Sequence, residues 1–127
     1  HYTWGQANNF CRRLWGRQGR LVRIDNIQEN NWIYQQAGKR NVWIGGNDIP
    51  REGHWAWSDG CPMSFRRWNH REPNNMGNED CAHLLHNGHG KWNDLKCHTR
   101  IGFVCKRARN HHRCGESTHK VTIQLIL

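Results

Sequence analysis

Carboxylates and side-chain amides are concentrated between Glu72 and Asp94, on both sides of a turn. The first part reads Glu-Pro-Asn-Asn-Met-Gly-Asn-Glu-Asp-Cys, and the second reads Lys-Trp-Asn-Asp. Hard cations such as Ca²⁺ take about six to eight oxygen ligands, which Glu, Asn and Asp side chains supply. The stretch therefore predicts a calcium site, and the rest of the chain is interpreted as its scaffold.

Length and cysteine content bound the class of protein. The chain has 127 residues and six cysteines, with no C-x-x-C pair and no zinc-ribbon spacing. A single domain of this size benefits from disulfides, which persist in oxidising compartments, so an extracellular location is expected. No apolar run approaches the roughly 20 residues of a membrane helix, so membrane insertion is not expected. No signal peptide is visible, and His1 is expected to start a mature, trimmed or excerpted segment.

The chain is strongly basic, with a formal net charge of +9 and a pI near 9.8. Such a charge attracts polyanions, and sulfated polysaccharides suit an extracellular protein better than nucleic acid does. The eight tryptophans lie in strand-like contexts and no nucleic-acid motif is present, so no nucleic-acid partner is expected. Five arginines crowd the first helix and strand and form either a sulfated-glycan or mineral-facing patch or a solvated charged face: Arg12, Arg13, Arg17, Arg20 and Arg23.

Two helices are predicted in the first third of the chain. Thr3 followed by Gln6 forms a capping box, and the helix it opens should end near Trp15-Gly16. A short strand is expected at 21–24, and a second helix should run from its cap at Asn26 to about residue 37.

The remainder is predicted to be strands around a long loop. Strands are expected at 42–46, 54–57 and 101–105, with a further ordered stretch around 81–85. A long irregular loop between Met63 and Lys91 carries the polar cluster, and such loops are usually functional or disordered. One α+β unit is the economical interpretation.

Several tryptophan, cysteine and ligand motifs follow one another along the chain: Trp4 and Cys11, Trp43-Ile44-Gly45, Trp55-x-Trp57-Ser58-Asp59-Gly60, Trp68, Glu72-Pro73-Asn74, Glu79-Asp80-Cys81, Trp92-Asn93-Asp94, Cys97 and Phe103-Val104-Cys105. This order of motifs resembles a C-type lectin-like domain. The resemblance covers about residues 3 to 106 and implies two helices flanking small antiparallel sheets, with a long irregular calcium-binding loop.

The resemblance implies a principal calcium site that also holds the sugar. Its ligands and carbohydrate contacts would be Glu72, Asn74, Glu79, Asn93 and Asp94. The order Glu-Pro-Asn resembles the mannose-type signature, which implies recognition of equatorial 3- and 4-hydroxyls in mannose, N-acetylglucosamine, glucose or fucose. The family also implies a cis peptide bond before Pro73. The alternative is that these ligands serve loop stability or protein recognition without useful sugar affinity.

A second, auxiliary calcium site is implied by the same resemblance. Its ligands would be Asp48, Glu52, Asn75, Glu79 and Asp80. The alternative interpretation is an acidic turn at Asn47-Asp48 with a shared surface patch.

The family's two standard disulfides map onto Cys11 with Cys105 and Cys81 with Cys97. Cys61 and Cys114 have no counterpart there. They either bond to each other and pin the tail to the domain, or form a covalent dimer.

The ends of the chain depart from the family pattern. Most members begin with a strand that pairs with the last one, whereas this chain begins at the helix, leaving the strand at 101–105 with an open edge. We expect a lectin domain at 1–106, with a basic, His-rich tail and terminal strand packed on it at 107–127. The apolar segment 119–127 is expected to replace the missing strand; alternatively, the true first strand was trimmed away and the tail belongs elsewhere.

The leading functional hypothesis is an extracellular, Ca²⁺-dependent carbohydrate-binding protein that recognises glycans or glycoproteins. The alternative is a protein-protein or matrix-interaction module with a calcium-rigidified loop. No nucleophile-base pair is evident, so no enzyme activity is expected. A single sugar contact is weak, so an oligomer would supply avidity.

Overall fold

A computed structural model describes residues 1–73, 80–107, 114 and 122–127. Its helices and strands in chain order are α1 (Trp4–Arg17), β1 (Gly19–Leu21), α2 (Ile27–Ala37), β2 (Val42–Asn47), β3 (Cys81–Leu84), β4 (Trp92–Leu95), β5 (Gly102–Arg107) and β6 (Ile123–Ile126). The α+β class is confirmed.

Local sequence signals define both helices. The Thr3 hydroxyl accepts the backbone N–H of Gln6 and the Gln6 side chain accepts that of Thr3, which is the predicted capping box. The backbone of Leu14 is already non-helical, so the regular helix stops close to the expected Trp15-Gly16. Asn26 caps α2 by accepting the N–H of Glu29 at 2.8 Å, as expected.

The first strand begins and ends earlier than predicted. It covers Gly19–Leu21 instead of 21–24. Beyond this strand, the Val22 N–H donates to the carbonyl of Val104 in β5. The Val22 carbonyl accepts from the N–H of Gly45 in β2. Val22 thus joins β5 to β2, because its two backbone groups bond to different strands.

The strands form one six-stranded mixed sheet instead of separate small antiparallel sheets. β5 pairs antiparallel with β1 and parallel with β2, and β2 continues through β3 to β4. The parallel pair, Val42 with Gly102 and Trp43 with Phe103, brings the middle of the chain against its end. Such distant pairing leaves no local sequence signature.

The prediction of a strand at 54–57 is wrong. Only Ala56 pairs there, through single bridges to Asn47 and Pro62, because turns at Gly53 and Gly60 interrupt the chain on either side. β4, which carries Asn93 and Asp94, was not predicted as a strand.

The terminal strand pairs as expected from the apolar tail. β6 lies antiparallel to β5, with Phe103 opposite Ile126 and Lys106 opposite Ile123. The expected segment began at residue 119, and residues 119–121 lie outside the described part. The proposed boundary between a domain at 1–106 and a tail at 107–127 stays a prediction.

Replacing Leu125 by Lys is expected to destabilise the fold. Leu125 is half-buried against the core and Gln124 is exposed, so Gln124→Lys is the matched control. Full burial of a leucine side chain contributes about 1.5–3 kcal/mol to the free energy of unfolding, and the half-buried Leu125 should contribute roughly half of that. Thermal melts should show a loss of several degrees for Leu125→Lys and almost none for the control. Equal melting temperatures would contradict the role of β6 in the fold.

Three disulfides tie these elements together. Cys11 of α1 bonds Cys105 of β5, Cys81 of β3 bonds Cys97 beyond β4, and Cys61 bonds Cys114 within the same chain. The third bond attaches the segment that leads to β6 to the loop after Trp57.

Candidate functional site

Three carboxylates converge beside the sheet. Asp48, Glu52 and Asp80 each offer an oxygen atom, and these atoms all lie within 4.8 Å of one another. All three belong to the expected auxiliary calcium set. The other two members of that set, Asn75 and Glu79, lie outside the described residues.

The ends of two paired strands position this cluster. Asp48 directly follows β2 and Asp80 directly precedes β3, and Asn47 pairs with Cys81 in the ladder between them. The Asp48 N–H also donates to the Asp80 carbonyl at 3.1 Å. Two residues that are distant in sequence are therefore fixed side by side by the backbone.

The electrostatics of Asp48 favour a cation. Asp48 is 2 % exposed, and burial raises the pKa of its carboxyl group to about 6. The Gly53 N–H, which donates to Oδ2 at 2.9 Å, opposes this rise in pKa, whereas Asp80 and Glu52 add to it. With both groups ionised, the buried Oδ1 atoms of Asp48 and Asp80 have no donor among the described residues. A calcium ion fits this donor set, since it would supply the missing positive charge.

The expected principal set is described only in part. Asn93 and Asp94 lie on β4, Glu72 lies in the long loop, and the Glu72–Pro73 bond is cis, as the resemblance implies. Asn74 and Glu79 lie outside the described residues. Within the described ranges, no group of three acidic, His or Cys side chains converges around Glu72 and Asp94.

Trp92 anchors β4 and the start of the loop. Its indole N–H donates to Asn30 Oδ1 at 2.8 Å, and the Asn30 amide donates to the Gly90 carbonyl at 2.8 Å. The Trp92 backbone N–H donates to the Arg67 carbonyl, and the Trp92 carbonyl accepts from the Asn69 N–H. Asn30 was not singled out from the sequence, although a polar residue on the inward face of α2 was a signal that it bonds something buried.

His83 is a second residue that the sequence analysis missed. It lies opposite Asn93 in the β3–β4 ladder, and its Nε2 is 3.1 Å from the Asn93 amide nitrogen. Burial lowers the pKa of His83 to about 4, against the opposing charge of Asp94, so the ring is neutral at pH 7. In the tautomer that carries its proton on Nδ1, the Nε2 atom of the neutral ring accepts from the amide N–H, which leaves the Asn93 oxygen for another partner.

The fold and the carboxylate cluster define a disulfide-bonded α+β domain with a candidate calcium site beside its sheet. A family model described as "Lectin C-type domain" matches residues 1–107. The chain is 38 % identical over 106 residues to human "C-type lectin domain family 17, member A" and 41 % identical over 106 residues to the mouse "Low affinity immunoglobulin epsilon Fc receptor". These alignments cover 83 % and 82 % of this chain.

A solved structure supports the same relationship. The cow carbohydrate-recognition domain of CD23, determined in the presence of GlcNAc2Man3 oligosaccharide, has a TM-score of 0.75 and 36 % identity, covering 85 % of this chain and 81 % of that one. The chain belongs to the C-type lectin domain family. Members of this family are carbohydrate-binding, non-enzymatic proteins that generally depend on Ca²⁺.

The chain represents only part of the length of these relatives. It spans 27 % of the human relative and 30 % of the mouse relative. Neither helix in the described part of the chain has the length and apolar character needed to cross a membrane.

Proposed function

We propose that this domain binds glycans through calcium and recognises equatorial 3- and 4-hydroxyls of the mannose, N-acetylglucosamine, glucose and fucose class. The observation that carries the proposal is the convergence of the Asp48, Glu52 and Asp80 carboxylates, because the buried Oδ1 atoms of Asp48 and Asp80 call for a cation. In this proposal the ion holds the ends of β2 and β3 to the long loop. The loop then presents the sugar-binding ligands.

Two calcium ions are bound in this proposal, one at an auxiliary site and one at the principal site. The auxiliary ion is held by Asp48, Glu52, Asn75, Glu79 and Asp80. The principal ion is held by Glu72, Asn74, Glu79, Asn93 and Asp94. The two sets have Glu79 in common, so ordering of one site helps the other.

The principal ion and its ligands recognise the same diol. Three carboxylates neutralise the ion, and two vicinal sugar hydroxyls displace water from its coordination sphere. Each hydroxyl donates to a Glu carboxylate and accepts from an Asn amide. His83 supports this arrangement, because its contact with the Asn93 nitrogen leaves the amide oxygen for the ion.

The relatives support a sugar ligand, since the cow domain was solved in the presence of a mannose-containing oligosaccharide. Three disulfides are in keeping with an extracellular location. The proposed partners are glycans or glycoproteins, and several copies of the domain would raise a weak single contact by avidity.

Affinity chromatography tests the proposal. On mannose-agarose in millimolar calcium the domain should be retained, and EDTA should elute it, because the ion contacts the sugar directly. Re-addition of calcium should restore retention, and a galactose column serves as the control. Retention that EDTA does not reverse would contradict calcium-mediated binding.

A protein ligand is the second candidate function. The mouse relative is named as a receptor for an immunoglobulin Fc region, which gives this alternative a specific basis. Retention on neither mannose nor fucose columns, combined with a calcium-induced rise in melting temperature, would favour it. The calcium-held loop would then bind a protein surface.

A further inference from the structure

A groove lined by arginines lies at the C-terminal end of α1, outside both proposed calcium sets. This groove, here called the basic groove, has a volume of about 390 Å³. It is lined by Asn9, Arg12, Arg13, Arg17 and Arg20. Arg12, Arg13 and Arg17 are exposed. Within the described residues, none of these three forms an ion pair with a carboxylate. Their guanidinium groups are therefore available to an external anion.

The charge of this region is unbalanced over a long stretch of chain. The first Asp or Glu in the sequence is Asp25, so the segment that forms α1 and β1 contains no acidic residue. By contrast, the carboxylates of the calcium cluster lie next to β2 and β3. The segment that lines the groove is thus basic and free of acidic residues, and the carboxylate cluster is built from other elements of the fold.

The backbone holds the groove in a fixed shape. Trp15, Gly16 and Arg17 all have left-handed backbone angles, with φ of 53°, 64° and 71°, and turn the chain from α1 into β1. Gly19 then approaches α1 so closely that a Cβ there would overlap the Cys11 carbonyl. The Cys11–Cys105 disulfide fastens the opposite face of α1 to β5. The arginine side chains therefore extend from a preorganised surface, which lowers the entropic cost of binding.

A second groove adjoins the first along α1. It has a volume of about 290 Å³ and is lined by Tyr2, Gln6, Asn9, Phe10 and Arg13. Asn9 and Arg13 line both grooves. The two grooves therefore adjoin each other on α1, and the second one adds the exposed ring of Tyr2 to the lining.

We propose that the basic groove binds a sulfated polysaccharide chain, and does so without calcium. A planar guanidinium donates two parallel N–H groups to an oxyanion, so several arginines along one groove match sulfates repeated along a chain. Two adjoining grooves on one helix fit a linear polymer better than a flat membrane surface. The disulfide content places the domain in a compartment where sulfated glycans, not nucleic acids, are the abundant polyanions.

Salt-dependent binding to heparin tests the proposal. The variant Arg12→Gln/Arg13→Gln/Arg17→Asn removes three groove charges, with Asn chosen at position 17 because it tolerates a left-handed backbone. The control Lys39→Gln/Arg40→Gln/Arg51→Gln removes three exposed charges that do not line the groove. On nucleic acids each lost phosphate contact lowers the slope of log affinity against log salt by about 0.7–0.9, and we apply the same counterion-release values to the sulfates of heparin. The groove variant should therefore lose about two to three units of slope and bind at least tenfold more weakly, while the control changes little.

Equal losses in the two variants, or none in the groove variant, would overturn the proposal. Melting curves confirm that each variant is folded. If the groove variant does not fold, Arg12→Lys/Arg13→Lys/Arg17→Lys decides: it keeps the charges but loses the paired N–H groups, so affinity should fall severalfold at an unchanged slope. Unchanged affinity in this variant would overturn the role of the guanidinium groups.

A second set of experiments uses the wild-type domain and varies the ligand and the calcium. Heparin binding should persist in EDTA and weaken strongly when the heparin is desulfated. Loss in EDTA would place the binding at the calcium loop and overturn the proposal without affecting the proposed sugar site. Tighter binding to a single-stranded oligonucleotide than to heparin, at the same salt, would overturn the assignment of a sulfated chain.

Discussion

Exchanging Glu72 for Gln and Asn74 for Asp is expected to shift the sugar preference from mannose toward galactose. A carboxylate only accepts hydrogen bonds, whereas an amide both donates and accepts. The double exchange therefore reverses which side of the diol meets a donor. Hydrogen bonds to charged groups contribute about 1.5–3 kcal/mol, so the ratio of mannose to galactose affinity should change by at least about tenfold.

The measurement is calcium-dependent binding of each sugar, by calorimetry or by elution from paired mannose and galactose columns. Glu72→Gln alone is the matched control, because it removes a charge and adds a donor on one side of the diol while the other side keeps its amide, so it should weaken both sugars. A calcium-induced rise in melting temperature shows that the metal still binds. An unchanged preference in a double variant that binds calcium would mean that these two side chains do not read the sugar.

Local signals predicted the helices well. The caps at Thr3 and Asn26 depend on hydrogen bonds to residues three positions away, so the sequence within one turn contains all the information. The sheet was predicted less well, because its pairs join distant residues. Gly45, for example, bonds to Val22, and Trp43 pairs in parallel with Phe103.

The same distinction applies to the candidate site. Oxygen-donor residue types between Glu72 and Asp94 pointed to calcium from composition alone. That Asp48 belongs with Asp80 was implied only by the family resemblance, because the two meet through the β2–β3 pairing. His83 escaped notice, since nothing local shows that a histidine within a strand faces Asn93 on the next strand.

Replacing Asp48 by Asn is expected to stabilise the calcium-free protein and to remove much of its response to calcium. Burial and the neighbouring carboxylates raise the pKa of Asp48 to about 6, so its protonated form is favoured in the folded state. The corresponding stabilisation is complete below the ordinary value of 3.8 and is lost as the pH rises through about 6. At neutral pH without calcium, the ionised carboxylate therefore disfavours folding, and an amide relieves that cost.

Melting in EDTA across pH, and in calcium at pH 7.5, measures both effects. In EDTA, Asp48→Asn should melt above the wild type at pH 7.5, with the gap closing toward pH 5. With a dissociation constant of about 10⁻⁴–10⁻³ M, 10 mM calcium should stabilise the wild type by about 1.4–2.7 kcal/mol, and at least half of this should vanish in the variant. Glu116→Gln removes the same charge outside both proposed calcium sets and should retain the wild-type response. If Asp48→Asn also retained it, Asp48 would not be a calcium ligand, and its cluster with Glu52 and Asp80 would be an acidic turn that holds no metal.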